Sequence, residues 1–541
     1  MKKLNYIVLS LLVSTFALTS CDALLNADSE RYTFEQDFQM KSAHDTIYSM
    51  VGVFSQLQKL GDRYILLGEL RSELMETKEN ASKYLKEINE FNYSKENPYI
   101  NQKDYYAVIN SCNYITHYVD TSYSILSDKA MMRSYAAAKA IRAWTYLQLA
   151  LNFNSVYYYT NPITTVAEAT KTYPSIGLGA LADSLIADLY PLRNINTMDL
   201  GTFGAFKVKQ TVLPIKFILG DLYLWKGDYA NAAKSYYDLM YTNNLTIGKD
   251  YISSWTVDSK KVFINYTPLW NALLGPNNPE NIATIASSAI YGQQFTVDSL
   301  SYHYDIAPST IAINKWAQTI YYVDSITTGE GDLRAHGSYY QVNEKNSTLP
   351  NSYDPSENPY ITKYQTMNTN TEKCLVIYRN SLLYLRYAEA VNRLGCPQLA
   401  FTVLKKGLTD LTTRPAVIRN EVLAAGSGST PSYMNFTDIR FSNNVGIRQR
   451  GLGNINLDTH VFIIPTCSNK TDSITYVEDA IVEELALETA FEGNRFHDLM
   501  RIAMRRGKPE YLADKVSAKY SLNKADMKSK LMDPLNWYLP R

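Results

Sequence analysis

The stretch VLPIKFILGDLYLWKGDYANAAKSYYDLMY, residues 212–241, has the residue spacing of two helices packed against each other. Its first half carries Gly220 and Tyr223 on one helical face, and its second half carries Ala232 and Tyr236. Small residues at Gly220 and Ala232 would let the two helix axes approach closely, and the two tyrosines would fill the groove between them. The stretch therefore predicts an antiparallel helix pair.

Gly227 and Asp228 stand between the two predicted helices and are typical of a tight turn. The order of small and aromatic residues follows a tetratricopeptide (TPR) repeat, although Asn244 stands where that repeat usually has proline. Weaker copies of the first-helix spacing occur around residues 143–150 and 388–395. They lie much farther from the best copy than the ~34 residues of a tandem repeat. Long insertions are therefore expected between the helix pairs.

The predicted fold class is mainly α, a TPR-like helix-pair scaffold with long irregular loop insertions. Helices are expected around residues 136–153, 212–241 and 380–408, and C-terminal helices over 478–506. Loop-rich insertions, with many Asn, Ser, Thr, Pro and Tyr residues, are expected at about 248–371 and 414–473. The chain has 541 residues, of which 46% are hydrophobic, so it is long enough to bury a large core. We predict a single domain over residues 21–541.

The N-terminus resembles the signal of a bacterial lipoprotein. Two lysines at positions 2 and 3 precede a mostly apolar run over residues 7–18, and Leu18-Thr19-Ser20 then leads to Cys21. The run is too short for a membrane-spanning helix, which needs ~20 apolar residues. We predict a signal peptide over residues 1–20 and a lipid anchor on Cys21. The alternative is an ordinary cleaved signal followed by an incidental cysteine.

The charge balance excludes several classes of partner. Lys plus Arg number 53, and Asp plus Glu also number 53. No basic excess or polybasic run indicates binding to nucleic acid or to an anionic membrane surface. Tyrosine is abundant, with 44 residues against 17 Phe and 6 Trp. Tyrosine suits wet binding surfaces and the outer layers of a helical core equally well.

Motifs for catalysis and metal binding are absent from the sequence. The six histidines form no HExxH, and there is no G-x-S-x-G, P-loop or G-x-G-x-x-G. Nothing marks the pair of carboxylates that a glycosidase requires. The remaining cysteines form no CxxC, and they allow either disulfides or buried free thiols: Cys112, Cys374, Cys396 and Cys467. We therefore predict no metal, no cofactor and no enzymatic activity.

The sequence EDAIVEELALETAFEGNRFHDLMRIAMRR, residues 478–506, resembles the C-terminal signature of the SusD/RagB family. In that signature a Glu-rich helix leads to Phe-Glu-Gly, then to Arg, an aromatic residue, Asp-Leu and Arg. The matching positions here are Phe491, Glu492, Gly493, Arg495, Phe496, Asp498, Leu499 and Arg501. GELRSELM (68–75) and RYAEA (386–390) follow the family's order as well. His497 departs from the pattern, because the family usually has an aromatic or apolar residue there.

Two interpretations of the charged residues in this signature are open. In a catalytic interpretation, Glu484, Glu488 and Glu492 would act with His497 and Asp498. In a structural interpretation, which we favour, Gly493 ends the helix. Arg495 and Arg501 would then turn back to pair with acids on the preceding turn.

The resemblance implies a surface-exposed, lipid-anchored protein of the Bacteroidetes outer membrane that takes part in nutrient uptake. Such a protein binds an oligomeric nutrient and acts as the lid of a SusC-like TonB-dependent transporter. The helix pairs would meet the transporter, and the loops would bind the ligand. A glycan is the favoured ligand and an oligopeptide, as for RagB-like members, is the alternative. A surface hydrolase or a pure assembly scaffold is less favoured.

The resemblance also implies where the ligand binds, namely near GELRSELM and in the large insertion. Aromatic faces there would stack on sugar rings, and polar groups would bond hydroxyls. By position alone, the candidate ligand residues are Arg71, Glu73, Tyr93, Tyr99, Tyr291, Tyr302, Tyr304, Trp316 and Tyr321.

Overall fold

The computed structural model describes residues 40, 43–122, 130–199, 201–203, 206–248, 254–258, 261–265, 278–288, 295–323, 326–332, 334–339, 359–367, 372–451 and 462–541. The predicted signal peptide, Cys21 and Tyr291 lie outside these residues. Within the described part of the chain, no helix is both long and apolar enough to cross a membrane.

The fold is mainly α, as predicted. The α-helices of the described residues are α1 (Ala43–Gln58), α2 (Gly61–Glu69), α3 (Lys83–Asn89), α4 (Lys103–Tyr118), α5 (Ala130–Phe153), α6 (Val166–Ala169), α7 (Leu178–Leu189), α8 (Ile215–Lys226), α9 (Tyr229–Asn243), α10 (Val297–Tyr302), α11 (Thr310–Ala317), α12 (Ala335–Ser338), α13 (Asn380–Arg393), α14 (Pro397–Lys405), α15 (Asp410–Thr413), α16 (Ala416–Ala425), α17 (Ile447–Gly451), α18 (Lys470–Glu488), α19 (Arg495–Arg506), α20 (Pro509–Ser517) and α21 (Lys524–Leu531).

The strands are short and pair two by two. They are β1 (Met75–Thr77), β2 (Ser155–Tyr157), β3 (Ser175–Gly177), β4 (Thr202–Phe203), β5 (Phe206–Lys207), β6 (Ser254–Asp258), β7 (Lys261–Asn265), β8 (Asn281–Ser288), β9 (Ile306–Pro308), β10 (Ile320–Val323), β11 (Ile326–Glu330) and β12 (Glu372–Arg379). The antiparallel pairs are β1–β9, β2–β3, β4–β5, β6–β7, β8–β12 and β10–β11.

The helix pair predicted over residues 212–241 is present as α8 and α9. Gly220 permits their close approach, because a Cβ atom at this position would lie only 2.3 Å from the ring of Tyr236. Tyr223 and Tyr236 are both buried. Gly227 ends α8 in the left-handed conformation with φ of +83°, and Asp228 caps α9. The turn chemistry read from the sequence is therefore confirmed.

The two predicted insertions contain more regular structure than their sequence pattern indicates. Strand β8 pairs with β12, which runs directly into α13, so the first insertion is joined to the helical scaffold. The second insertion contains α16, whose sequence AVIRNEVLAA has no helix breaker. The prediction of irregular chain over residues 414–473 is therefore wrong for α16.

Three motifs that are far apart in the sequence meet in the interior through buried ion pairs. The motifs are GELRSELM, RYAEA and the signature over 478–506, and the pairs are Glu73–Arg495, Arg386–Asp498 and Glu389–Arg501. Arg495 donates from Nε to both oxygens of Glu73, at 3.0 and 3.1 Å. Arg501 forms a two-point pair with Glu389 at 2.8 and 2.6 Å. All six side chains are buried.

Two glycines allow GELRSELM and the signature to touch. A Cβ atom on Gly68 would lie 1.9 Å from the carbonyl oxygen of Gly493, so no larger residue fits. The next residue, Glu69, accepts the Gly493 N–H at 2.8 Å. Burial raises the pKa of Glu69 to about 7, although hydrogen bonds from the backbone N–H groups of Gly493 and Arg495 favour its charged form.

Glu488, the last residue of α18, is the centre of a second buried cluster. Its carboxylate accepts hydrogen bonds from Arg379 at 2.8 Å, Arg450 at 3.2 Å and Arg334 at 2.9 Å. These arginines belong to β12, to α17 and to the segment before α12. Burial by itself would raise the pKa of Glu488, but the three arginines hold it well below its ordinary value.

Glu484 and Glu492, the other glutamates of the catalytic interpretation, are also paired with cations. Glu484 accepts from Arg334 at 2.5 Å. Glu492 accepts from Arg379 at 2.7 Å and from the buried Lys363 amine at 2.6 Å. Because these carboxylates are buried and bonded to cations, the structure favours the structural interpretation of the signature.

The predicted partner of Arg495 is wrong, because this arginine binds Glu73 from another motif. Arg501 does bind an acid one turn before it, Asp498 at 3.0 Å, and it also binds Glu389 from another motif. Arg495 does turn back to α18, but it donates to a backbone carbonyl, that of Val482, at 2.7 Å.

The cysteines of the described residues are free thiols, so the disulfide alternative is not realised. Cys112, Cys374 and Cys396 are buried, and burial raises the pKa of each to about 12. A thiol with so high a pKa is unreactive near neutral pH.

The Glu488→Gln substitution is predicted to destabilise the fold by about 3–5 kcal/mol, because it leaves buried arginines without their shared anion. Since the pKa of Glu488 is held low, its contribution is present above about pH 4.5 and is lost as the pH falls further. The deficit of the variant should therefore shrink at low pH. Urea unfolding at about pH 7 and about pH 3 measures both effects.

A matched control for this substitution lies on the same helix. Glu483 pairs with Lys315 and Lys515, but its side chain is 41% exposed. Glu483→Gln should cost no more than about 1 kcal/mol. Equal losses in the two variants would contradict a special role for the buried cluster.

Candidate ligand-binding site

A short sheet joins GELRSELM to the large insertion. Strand β1 is antiparallel to β9, with Met75 opposite Pro308 and Thr77 opposite Ile306. The pairing continues past the strands, because the Lys78 N–H donates to the Asp305 carbonyl at 2.9 Å. Residues 75–78 and 305–308 are therefore neighbours.

Helix α10 is held in place by α2. Asp62 of α2 accepts the Thr296 N–H at 2.9 Å and the Thr296 hydroxyl at 2.8 Å, and so caps the start of α10. Burial raises the pKa of Asp62, although these hydrogen bonds oppose the rise. The last residue of α10 is Tyr302, which is half-buried and lies edge-on to the exposed His303.

Tyr304 follows α10 in a conformation that normally belongs to glycine. Its φ is +58°, and the turn has the two backbone bonds of a Schellman motif, from Asp305 to Leu300 at 2.8 Å and from Tyr304 to Ser301 at 3.1 Å. A non-glycine residue in this region costs about 1–2 kcal/mol. The Tyr304 ring is half-buried, and its centroid lies 5.3 Å from the Lys78 amine. Phe91 and Phe491 have the same left-handed backbone but are buried in the core, whereas the Tyr304 ring is partly open to solvent.

Tyr99 is the third half-buried tyrosine of this region. Its backbone is fixed by Asn97, whose side chain accepts the Tyr99 N–H at 3.0 Å. Burial raises the pKa of Tyr99, and the charges of Asp62 and Asp305 raise it further. We call Tyr99, Tyr302 and Tyr304 the tyrosine rim.

An open groove of about 520 Å³, here named the strand groove, adjoins the rim. It is lined by residues 77–79 after β1, by Lys86, Asn89 and Glu90 of the α3 segment, and by residues 519–523 after α20. Lys78 connects the two features, because it lines the groove and faces the Tyr304 ring. The Lys519 amine bonds Leu70 O at 2.5 Å and Asn89 Oδ1 at 2.9 Å, which ties the C-terminal wall to α2 and α3.

Three candidate residues from the sequence do not face solvent. Arg71, Glu73 and Trp316 are each no more than 1% exposed. Glu73 is the partner of Arg495, and the Trp316 indole N–H donates to Leu487 O at 3.3 Å. Their prediction as ligand contacts requires correction, because the charged motif around Glu73 is an interior ion-pair element and Trp316 is a core residue.

Arg71 has an interior role beside His497. It donates to Leu67 O at 2.7 Å, to Trp537 O at 3.0 Å, to the Asn152 side chain and to His497 Nε2 at 3.2 Å. Arginine has no acceptor, so Nε2 must accept and the proton of the ring must be on Nδ1. Burial and the nearby arginines lower the pKa of His497 well below its ordinary value, so His497 is neutral.

The remaining candidates divide into two groups. Tyr93 is half-buried, with its hydroxyl directed into the interior, and burial raises its pKa to about 12. Tyr291 lies outside the described residues, and for Tyr321 the structure describes only the backbone, which belongs to β10. The three tyrosines of the rim are the candidates that the fold brings together.

The walls of the strand groove were not found from the sequence. Residues 519–523 reach the groove from the far end of the chain, and no spacing in the sequence relates them to Lys78. Turn residues in 79–82 were the only local signal that the chain bends beside β1.

The rim and the groove together offer what a sugar-binding surface requires. Flat tyrosine faces contact the apolar faces of sugar rings, and Lys78, Glu79, Lys86 and Asn89 supply hydrogen-bond donors and acceptors. Among the described residues, no group of three or more His, Cys, Asp or Glu side chains is placed to hold a metal ion.

Comparison with known proteins identifies the fold. Residues 310–536 match the model of the SusD family. A SusD superfamily protein from Bacteroides vulgatus superposes with a TM-score of 0.60 at 16% identity, covering 92% of this chain and 95% of that protein. One from Bacteroides thetaiotaomicron gives 0.55 at 15% identity, covering 89% and 94%. A SusD-like carbohydrate-binding protein from Bacteroides fragilis gives 0.53 at 15% identity, covering 86% and 87%.

No curated protein sequence matches this chain. At identities near 15%, the solved structures establish the shared fold. The family model adds the sequence signature, since it covers α18, the turn at Gly493 and α19. Residues 310–536 are thus similar to the SusD family, and the chain shares the fold of SusD superfamily proteins.

Proposed function

We propose that this protein is a nutrient-binding lipoprotein that captures an oligosaccharide at the tyrosine rim and the strand groove, without cleaving it. The observation that carries the proposal is the strained, half-buried Tyr304 beside an open polar groove. A position that would be more stable as glycine has instead a ring placed next to Lys78. The Bacteroides fragilis protein of the same fold, described as carbohydrate-binding, supports a glycan as the ligand class.

The proposal includes a membrane anchor and a partner. The pattern up to Cys21 supports attachment to the outer membrane by lipid, where two or more acyl chains hold firmly. A tethered binder must pass its ligand to a pore. For a chain with the SusD fold, a SusC-like TonB-dependent transporter is the pore we propose, with this chain as its lid and the helix pairs as the docking face.

Replacing Tyr304 with Gly separates binding from stability. Glycine removes the backbone strain, so the free energy of unfolding should stay the same or rise by up to about 1 kcal/mol. Loss of the ring should weaken binding of the best oligosaccharide in a panel by about 2- to 10-fold, since an aromatic contact contributes about 0.5–1.5 kcal/mol. Titration calorimetry and urea unfolding measure the two effects.

Asn244→Gly is the matched control for this experiment. Asn244 also has a left-handed conformation, with φ of +53°, but it lies at the end of α9 on the scaffold. This variant should change stability by a similar small amount and leave affinity unchanged. Unchanged oligosaccharide affinity in the Tyr304→Gly variant would contradict a ligand site at the tyrosine rim. Binding of oligopeptides alone would change the ligand class, and shortened products would make the protein an enzyme.

The transporter proposal predicts a stable complex. An obligate interface buries more than about 2,000 Å², so the protein should co-purify with a large barrel protein from native outer membranes in mild detergent. The Cys21→Ala variant should be released from membranes that lack the barrel. Recovery of the protein without a barrel protein would contradict the lid role. Membrane attachment of the Cys21→Ala variant in the absence of the barrel would contradict the lipid anchor.

A further inference from the structure

A cavity of about 300 Å³ lies at one end of the helix-pair scaffold. Its walls are the start of α5, the segment that follows α7, the start of α8 and the end of α9. None of its lining residues belongs to the tyrosine rim or to the strand groove. The cavity is therefore separate from the proposed nutrient site.

The cavity is lined by basic side chains. Arg133, Arg193 and Lys216 line it, and none of the described residues that line it is an Asp or a Glu. Arg193 lies over the Tyr190 ring at 3.8 Å and donates to Tyr190 O at 2.8 Å. Lys216 donates to the Thr242 hydroxyl at 3.0 Å. The hydrogen bonds of Arg193 and Lys216 are thus with neutral groups, while the Asp238 carboxylate interacts electrostatically with both cations.

The electrostatics of this region favour an added negative charge. Burial lowers the pKa of Lys216, the negative charge of Asp238 opposes this fall, and the positive charge of Arg193 adds to it. Asp238 interacts with Lys216, Lys234 and Arg193, so a single carboxylate faces several cations. Helix α8 also begins at this cavity without a side-chain cap, and its N–H groups add to the positive potential.

The cavity also has apolar side chains in its wall, beside neutral polar residues such as Asn194, Asn196 and Asn243. Ala136, Ala137, Met198, Leu213 and Leu239 line it together with the basic residues. A bare inorganic anion would leave this surface in contact with water. The volume is within the range of small-molecule pockets, which favours a compact ligand over a flat protein surface.

We propose that this cavity binds a small organic anion, namely a carboxylate carried on a compact apolar body. The carboxylate lies between Arg193 and Lys216, where the planar guanidinium gives two parallel hydrogen bonds. The apolar body contacts the side chains of α5 and α9.

Benzoate is a suitable probe, and benzamide is its neutral counterpart of nearly the same shape. We expect benzoate to bind the full chain in ligand-observed NMR titrations, to bind more weakly at high salt, and to bind far more tightly than benzamide. Arg193→Gln and Lys216→Met should each raise the dissociation constant about tenfold or more, since each removes a charge-assisted bond.

Lys234→Met is the matched control, because Lys234 interacts with the same Asp238 but does not line the cavity. Its benzoate affinity should equal that of the unaltered protein. Thermal unfolding identifies any variant that fails to fold. If one of the two cavity variants, Arg193→Gln or Lys216→Met, does not fold, the benzoate affinity of the other one tests the proposal. Lack of benzoate binding up to about 10 mM, equal binding of benzamide, or equal effects of Lys234→Met and the cavity variants would overturn the proposal.

Discussion

The rest of the structure depends on the burial of the charged residues in the signature over residues 478–506. A charged group removed from water loses several kcal/mol of solvation, and it is tolerated only with a well-placed partner. In this chain the partners come from other motifs: Glu73 binds Arg495, and Glu389 binds Arg501. A fold in which these motifs did not meet would leave buried charges unpaired, so the ion pairs specify one arrangement of distant segments.

The same constraint positions the candidate ligand site. Glu73 and Asp62 lie on either side of Glu69, which bonds the Gly493 turn. The segment that Arg495 binds therefore leads directly into β1, which pairs with β9, while Asp62 caps α10. Because Tyr302 ends α10 and Tyr304 lies beside Lys78 after β1, the geometry of these two tyrosines follows from contacts made in the interior. The buried Lys519 amine extends this connection to the far wall of the groove.

The helical scaffold was predictable from the sequence, since close packing of α8 on α9 needs a small residue at Gly220 and an aromatic residue at Tyr236, and both act over a short span. The β8–β12 pairing was missed because strand pairing joins residues that have no local relation in the sequence. For the site, three of the nine candidate residues, Tyr99, Tyr302 and Tyr304, are half-buried, and their binding role stays a proposal. The prediction of Arg71 and Glu73 as ligand contacts was wrong, because a charged residue in a sequence gives no sign that its partner is over 400 residues away. The left-handed backbone of Tyr304 likewise has no signature in its residue type.

A double-mutant cycle on Glu73 and Arg495 tests most directly whether buried ion pairs between motifs hold this fold together. The substitutions Glu73→Gln and Arg495→Met, alone and combined, give a coupling free energy from urea unfolding. The exposed pair Asp410–Arg414, with side chains 38% and 64% exposed, is the reference for a surface ion pair. We predict a coupling of about 2–3 kcal/mol for the buried pair and less than about 0.5 kcal/mol for the surface pair. A buried-pair coupling as small as that of the surface pair would contradict this account.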